Sequence, residues 1–214
     1  MEKVFVQTLL NAKGIGKVAA NHVLESCSFE VNSADDLLGA VQDARELSKR
    51  VPEVTLGEIN RAFDLASASL ERSDLEGIAV IGLTDDNYPK NLKSLSDKPL
   101  LLYAKGDLDL LNADNSVAVI GTRKPSEFGI RAGERLTEYF INDGFVIISG
   151  LAMGCDTVAH LAALKSRGRT IAVLPSSLDD ILPKQNHGLA MDIITCGGLL
   201  LSEYPLGSKQ QKNN

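Results

Sequence analysis

The sequence is poor in the residues that mark secreted, membrane-spanning and metal-binding proteins. It contains no tryptophan, three histidines and three cysteines, and 5% of its residues are aromatic. Cys27, Cys155 and Cys196 are far apart and lack Cys-x-x-Cys spacing, so we expect free thiols, no metal site and no cofactor. No apolar stretch reaches the roughly 18 residues of a membrane-spanning helix, and the N-terminus lacks a signal-peptide pattern. The sequence therefore predicts a cytoplasmic protein without a membrane partner.

The charge balance excludes proteins that coat nucleic acids through bulk positive charge. The 214 residues carry a net charge of −6. Residues 1–75 contain eight basic and twelve acidic residues, whereas residues 76–214 contain fourteen and sixteen. A local basic groove is compatible with these numbers. Because residues 1–75 carry a net charge of −4 and residues 76–214 only −2, residues 76–214 are the more favourable place for an anion site.

Hydrophobic periodicity divides the chain into two predicted domains, residues 1–75 and residues 76–214. In the first, apolar residues recur at spacings of three and four with breaks at Gly14, 32–33 and 51–52, which predicts about four amphipathic helices. Ser33 and Thr55 are expected to cap two of these helices. In the second domain, short apolar runs predict strands at 78–83, 100–103, 117–120, 145–148, 170–174 and 199–201. Helices are predicted at 128–142, 156–167 and 186–195.

The second predicted domain has the pattern of a parallel α/β layer. Near-continuous Val, Ile and Leu strands that alternate with helices are typical of a parallel sheet with helices on both faces. Gly144, Gly168 and Gly198 each precede a strand, where the C-terminal cap of a helix is expected. Residues 203–207 end the last predicted strand and only a polar tail, 208–214, follows them, so we expect one flank of the sheet to be short or bare there.

Two successive strand-to-helix turns predict an anion site. The strand at 117–120 leads into Gly121-Thr122-Arg123, and the strand at 145–148 leads into Ser149-Gly150, with Gly154 just before the next helix. Glycine after a parallel strand lets a phosphate approach the helix amides at the carboxyl edge of the sheet. Arg123 adds a planar cation that suits phosphate. The alternative is that the glycines only make tight turns and Arg123 pairs with a carboxylate such as Glu127.

Asp156 and His160 lie four residues apart on one face of the helix after the second turn. One interpretation is an acid/base pair. The other is structural: Asp156 caps the helix or accepts backbone amides of the glycine loop, and His160 packs beneath it. Because no nucleophile elbow, Walker motif or HExxH sequence accompanies them, we predict the structural role, no catalytic residue and no enzymatic activity.

Two further segments offer candidate phosphate contacts. Lys184 follows a strand end at the carboxyl edge, where it either contacts a second phosphate or is a solvated lysine, and Asn186 either caps the next helix or hydrogen-bonds a base edge. Near the N-terminus, Gly14-Ile15-Gly16-Lys17 has the form of a helix-hairpin-helix turn. Its residues Gly14, Gly16 and Lys17 are a candidate secondary DNA contact, with plain helix packing as the alternative.

Taken together, these segments resemble the DNA processing protein A (DprA/Smf) family. The resemblance is carried by 119–123, 149–156 with His160, 168–174, 182–186 and 199–203, and by the lead-in segments 86–89 and 99–106. It covers essentially the whole chain. It implies a Rossmann-like domain in residues 76–214, preceded by a small all-helical SAM-like domain that contains the helix-hairpin-helix.

The family resemblance also implies a function. Members bind single-stranded DNA, protect incoming DNA and help to load the RecA recombinase during natural transformation, so RecA and a homodimer are the expected partners. The implied DNA-phosphate contacts are led by Arg123 and Lys184, and the predicted site comprises Gly121, Thr122, Arg123, Ser149, Gly150, Gly154, Lys184 and Asn186. The alternative function is a Rossmann-like protein that binds or hydrolyses a nucleotide near Asp156 and His160.

The chain departs from the family pattern at its C-terminal end. Family members continue past Glu203 with further strands that complete the sheet. Either the chain is a fragment of a longer protein or it is a C-terminally shortened member; in both cases we expect the second domain to be incomplete and the surfaces for dimerisation and for RecA to be reduced.

Overall fold

The computed structural model describes residues 1–208, and the chain divides into two units. The first unit comprises Met1–Asp85 and Lys90–Leu101, and the second begins with Asp86–Pro89 and continues from Leu102. The sequence boundary between residues 75 and 76 falls inside the first unit, and two domains divided at that point remain a prediction. No helix of residues 1–208 combines the length and the apolar composition needed to cross a membrane.

The first unit is mainly helical, as the periodicity predicted. It contains α1 (Lys3–Asn11), α2 (Lys17–Ser26), α3 (Ala34–Leu47), α4 (Leu56–Leu75), strand β1 (Ala79–Gly82) and the short helix α5 (Lys90–Lys93). Both predicted caps are confirmed. The Ser33 side chain accepts a hydrogen bond from the amide of Asp36, and Thr55 forms a reciprocal capping box with Glu58. The apolar faces of the helices bury a core that includes Leu9, Val23, Leu37 and Ile59.

The second unit is an α/β layer, which confirms the predicted fold class. Its strands are β2 (Leu101–Gly106), β3 (Ser116–Ala118), β4 (Val146–Ser149), β5 (Thr170–Leu174) and β6 (Leu199–Ser202). Its helices are α6 (Glu127–Asn142), α7 (Cys155–Lys165) and α8 (His187–Thr195), with 3₁₀ turns at Leu108–Asn112 and Lys184–Asn186. Alternating strands and helices place the turns after β3, β4 and β5 at one edge of the sheet.

The strands of this unit lie in the order β2-β6-β5-β4-β3. The pairs β3–β4, β4–β5 and β5–β6 are parallel, but β2 runs antiparallel to β6, with Tyr103 opposite Ser202. The predicted parallel sheet is thus present, and β2–β6 is an antiparallel pairing within it. An apolar run predicts a buried strand, but it does not encode the direction in which a distant strand will pair with it.

The bare flank of the sheet lies on the opposite side from the one expected. Strand β6 is fully buried between β5 and β2, so it is not an edge. Within the described residues of the second unit, β3 pairs only with β4, and Ser116 and Ala118 are exposed. Helix α6, whose Phe140 and Ile141 pack in the same cluster as Val117 of β3, leaves Leu136 57% and Tyr139 65% exposed. The expectation of a bare flank beside the last strand is thus corrected to a bare flank beside β3.

Two of the three predicted cap glycines have another role. Gly144 has the positive φ of a C-terminal cap (81°), but after α7 and α8 the left-handed residues are Arg167 and Gly197. A Cβ on Gly198 would lie 2.6 Å from the carbonyl oxygen of Thr170, and a Cβ on Gly168 would collide with Ile141. Gly168 and Gly198 are therefore required by close packing rather than by backbone conformation.

A small apolar core fixes α6 and α7 against the sheet. Ile147 of β4 packs with Ala159 and Ala163 of α7, and half-buried Val117, Val119, Phe140 and Ile141 complete the cluster. Alanine on the inner face of α7 lets the helix lie close to the strand. This packing holds the N-terminal ends of both helices at the carboxyl edge of the sheet, next to the two glycine turns.

Candidate functional site

The turns after β3 and β4 are packed directly against each other. The amide of Cys155 donates a hydrogen bond to the carbonyl oxygen of Thr122 at 3.1 Å. A Cβ on Gly154, whose φ is 91°, would lie 2.6 Å from the carbonyl carbon of Arg123, and a Cβ on Gly121 would lie 2.6 Å from the Cys155 sulfur. Only glycine fits at both positions, because any side chain would push the two turns apart.

Arg123 is exposed on this supported turn. The amide of Lys124 donates to the Thr122 hydroxyl oxygen at 3.2 Å, which leaves the Thr122 proton able to donate elsewhere. Glu127 lies 3.6 Å from Arg131, and no salt bridge of Arg123 occurs within residues 1–208. The alternative in which Glu127 neutralises Arg123 is therefore not what the structure contains, and the guanidinium faces solvent.

The glycine turn after β4 is braced by Asp156. The buried carboxylate accepts hydrogen bonds from the amides of Gly150 (3.1 Å) and Ala152 (3.3 Å). Between them, fully buried Leu151 has a φ of 59°, a left-handed conformation that costs a non-glycine residue energy. The Gly150 amide, predicted to face phosphate, is thus already bonded within the protein. In this structure the glycine turn holds its own backbone in place and does not present the Gly150 amide to a ligand.

Two of the predicted phosphate contacts are buried. The amide nitrogen of Asn186 donates to the carbonyl oxygen of Leu151 (2.7 Å) and to the Thr157 hydroxyl (2.8 Å), and it makes no side-chain cap for α8. The Ser149 hydroxyl donates to the carbonyl oxygen of Val119 at 2.6 Å. In this structure the donor groups of both side chains are bonded inside the fold, which is a supporting role; a direct phosphate contact by Ser149 or Asn186 remains a prediction.

Lys184 is exposed but paired. Its ammonium group forms a salt bridge with Asp180, and both side chains are partly solvated. The 3₁₀ turn that carries Lys184 also carries Asn186, so the Lys184 segment is tied to the Leu151 loop. The structure thus links the Lys184 segment to the Arg123 turn through the loop after β4. Asp180 competes with any phosphate for the Lys184 charge.

His160 is enclosed beneath the turn. Its Nδ1 lies 2.8 Å from the Thr170 hydroxyl, which itself donates to the carbonyl oxygen of Ile147. The hydroxyl can therefore only accept from Nδ1–H, and the buried Nε2 has no hydrogen-bond partner among the described residues. Burial lowers the pKa of His160 to about 4. The ring is neutral at pH 7, and neither His160 nor the buried Asp156 faces solvent as an acid/base pair would.

The predicted hairpin near the N-terminus joins α1 to α2 in the first unit. Gly14 has a φ of 85°, Ile15 is buried, and Gly16 occupies the N-cap of α2. Lys17 is the first residue of α2. A secondary DNA contact through Gly14, Gly16 and Lys17 remains a prediction.

Sequence reasoning missed several supporting residues of the site. Cys155 packs against Gly121, Thr157 accepts from Asn186, and Leu151 supplies the carbonyl that Asn186 binds. These contacts join residues that are about 30 positions apart in the sequence, so no local sequence pattern indicates them. The pairing of Asp180 with Lys184 could have been predicted, because the two oppositely charged residues are four positions apart. No group of three or more His, Cys, Asp or Glu side chains in the described chain is arranged to hold a metal ion.

Comparison with known proteins relates the chain to one family. The family model described as DNA recombination-mediator protein A matches residues 79–214. DNA processing protein DprA of Bacillus subtilis (strain 168) is 40% identical over 137 residues, which cover 64% of this chain and 46% of the relative. Protein Smf of Synechocystis sp. is 32% identical over 205 residues, which cover 94% of this chain and 51% of the relative. The chain spans about half the length of these relatives.

Two solved structures are similar to the fold. The X-ray structure of DprA from Streptococcus pneumoniae matches with a TM-score of 0.76 and 28% identity, over 99% of this chain and 71% of that one. DNA processing protein A from Helicobacter pylori, described for its single-stranded DNA binding mode, matches with a TM-score of 0.56 and 36% identity. That match covers 63% of this chain and 59% of the other.

Proposed function

The chain belongs to the DNA recombination-mediator protein A (DprA/Smf) family, and from this membership we propose that it is a non-enzymatic mediator that binds single-stranded DNA. The observation that carries the proposal is the exposed guanidinium of Arg123 on a turn held by Gly154 and Cys155. The backbone of this turn is held by packing, and within residues 1–208 the guanidinium has no salt-bridge partner to give up before it contacts a phosphate. The H. pylori relative, which has a described single-stranded DNA binding mode, supports the same ligand.

Lys184 is proposed as a second, weaker anchor. Its ammonium group is exposed, but Asp180 holds it when no ligand is bound. Two cations on separate turns suit a flexible backbone, which adjusts its phosphate spacing, better than a rigid duplex. The expected binding is independent of sequence and sensitive to salt, because each neutralised phosphate releases counterions.

The finer parts of the proposal concern the cellular role. By family membership we propose that the chain protects incoming DNA in the cytoplasm, that it forms a homodimer and that it assists RecA loading during natural transformation. Stimulation of RecA-driven strand exchange on DNA coated with a single-strand-binding protein tests this part. If the chain binds DNA but leaves the exchange rate unchanged, the mediator role is wrong while the binding role survives.

The binding role is tested by fluorescence anisotropy at low salt. A labelled oligothymidylate is titrated with the chain beside a duplex of the same length. We expect tighter binding to the single strand and a strong decrease in affinity with added salt. Equal or tighter binding to the duplex contradicts the proposal. Displacement of the oligonucleotide by micromolar nucleoside triphosphate, accompanied by hydrolysis, would instead support the nucleotide-site alternative.

A further inference from the structure

Phe128 is an exposed aromatic side chain at the start of α6, five residues after Arg123. Its exposed fraction is 75%, although burying a phenylalanine normally stabilises a protein. The N-cap of α6 is Ser126, whose hydroxyl accepts a hydrogen bond from the amide of Gly129. Phe128 therefore lies in the first turn of an ordered 16-residue helix, close to the turn that carries Arg123.

The direction of α6 places Phe128 at the end of the helix that is nearest to the Arg123 turn along the chain. Side chains on a helix lean towards its N-terminus, and the N-terminus of α6 follows directly from the Arg123 turn. Two other apolar side chains lie on the same pair of turns. Ile120 precedes Gly121 and is 77% exposed, and Met153 precedes Gly154 and is 43% exposed. The exposed cations Arg123 and Lys124 thus have exposed apolar neighbours.

Cations next to an exposed aromatic ring are the combination that single-stranded nucleic acids require. The cations hold the backbone, and the ring offers a surface on which an unpaired base stacks, whatever its identity. A base paired within a duplex cannot present its face in this way. From this combination we propose that Phe128 stacks on a base of the strand whose phosphate is held by Arg123. This inference rests on the proposed function and adds a base-binding residue to it.

The test separates base contacts from phosphate contacts. Oligothymidylate and an abasic oligonucleotide of equal length carry the same phosphates, but only the former carries bases. Phe128→Ala is expected to lower the affinity for oligothymidylate about 5- to 150-fold, the usual range for one stacked base, and to leave the abasic strand unaffected. Arg123→Ala should weaken both. Tyr139→Ala is the matched control, since Tyr139 is 65% exposed on the same helix, roughly 16 Å further along.

A second readout uses the absence of tryptophan from the sequence. Phe128→Trp introduces a single reporter and keeps a stacking ring, so it should bind as tightly as the parent and lose fluorescence when oligothymidylate is added. Tyr139→Trp should show no such quenching. If Phe128→Ala binds oligothymidylate like the parent, or weakens both strands equally, Phe128 is not a base contact. If the parent itself fails to bind oligothymidylate, the proposed function is wrong, which is a distinguishable result.

Discussion

Gly154 and Arg123 are packed so closely that a Cβ on Gly154 would lie 2.7 Å from the Arg123 Cα. The φ of Gly154 is also positive, which is costly for any residue with a side chain. The position of the Arg123 backbone therefore depends on a glycine in the neighbouring turn.

Gly154→Ala should displace the Arg123 turn and weaken single-stranded DNA binding at least tenfold. It should also lower the free energy of unfolding by about 1 to 3 kcal/mol, because the strain of a positive φ adds to the steric clash with the Arg123 backbone. Anisotropy and urea unfolding measure the two effects. Gly188→Ala is the matched control, since a Cβ there meets no atom within 4 Å. If the two variants behave alike, the close packing of the turns has no functional consequence.

Asp180 is predicted to restrain Lys184. Asp180→Asn removes the partner of an exposed salt bridge, so the freed ammonium should increase DNA affinity by about twofold to fivefold, which corresponds to the weak energy of such pairs. Lys184→Ala should weaken binding modestly and should abolish the gain from Asp180→Asn in the double variant. An equal gain from Asp180→Asn in the presence and absence of Lys184 would mean that the effect is only one of net charge.

His160 should make stability depend on pH. Its folded pKa of about 4 lies below the ordinary value of 6.5, so the neutral ring stabilises the fold fully above pH 6.5. This contribution should be lost as the pH falls from 6.5 towards 4, by up to about 3 kcal/mol. Urea unfolding at pH 7.5 and 5 compares the parent with His160→Gln. The variant should lose less stability between the two pH values, and an equal loss would show that His160 does not titrate as described.

The bare flank beside β3 should cause association. Within residues 1–208, strand β3 pairs on one side only, and Leu136 and Tyr139 of α6 are exposed; both features favour contact with another molecule. We expect light scattering to show oligomers at micromolar concentration, and we expect Leu136→Glu to reduce them. Leu161→Glu is the control, because Leu161 is also exposed (52%) but lies on α7. A monomeric parent, or equal effects of both variants, would contradict the assignment of this flank.

Much of the architecture follows from local sequence patterns. Strand β5 (Thr170–Leu174) occupies the predicted residues, and the caps at Ser33 and Thr55 form as their spacing indicated. These features depend on neighbours within four or five positions along the chain. The exposed Arg123 turn was found in the same way, because glycine directly after an apolar run marks the turn.

The internal roles of the site residues were not predictable in this way. Asn186 looked like a helix cap or a ligand contact, but its amide binds Leu151, 35 residues earlier. Ser149 was predicted to contact the ligand, but its hydroxyl donates a hydrogen bond to the carbonyl oxygen of Val119, 30 residues earlier. The bare flank was also misplaced, since only the pairing of β2 with β6 reveals which strand lies at the edge. In all three cases the structure depends on contacts between residues that are far apart in the sequence, which local patterns do not predict.

The central claim is that the Arg123 turn holds the phosphate backbone of single-stranded DNA. It is tested most directly by the salt dependence of oligothymidylate binding to the parent, to Arg123→Ala and to Arg131→Ala, a control cation on α6 that lies beside Glu127. We predict that Arg123→Ala costs about 1.5 to 3 kcal/mol and reduces the slope of log affinity against log salt by about 0.7, the loss of one phosphate contact. Arg131→Ala should change neither quantity appreciably. A folded Arg123→Ala variant with the affinity and salt slope of the parent would contradict the account.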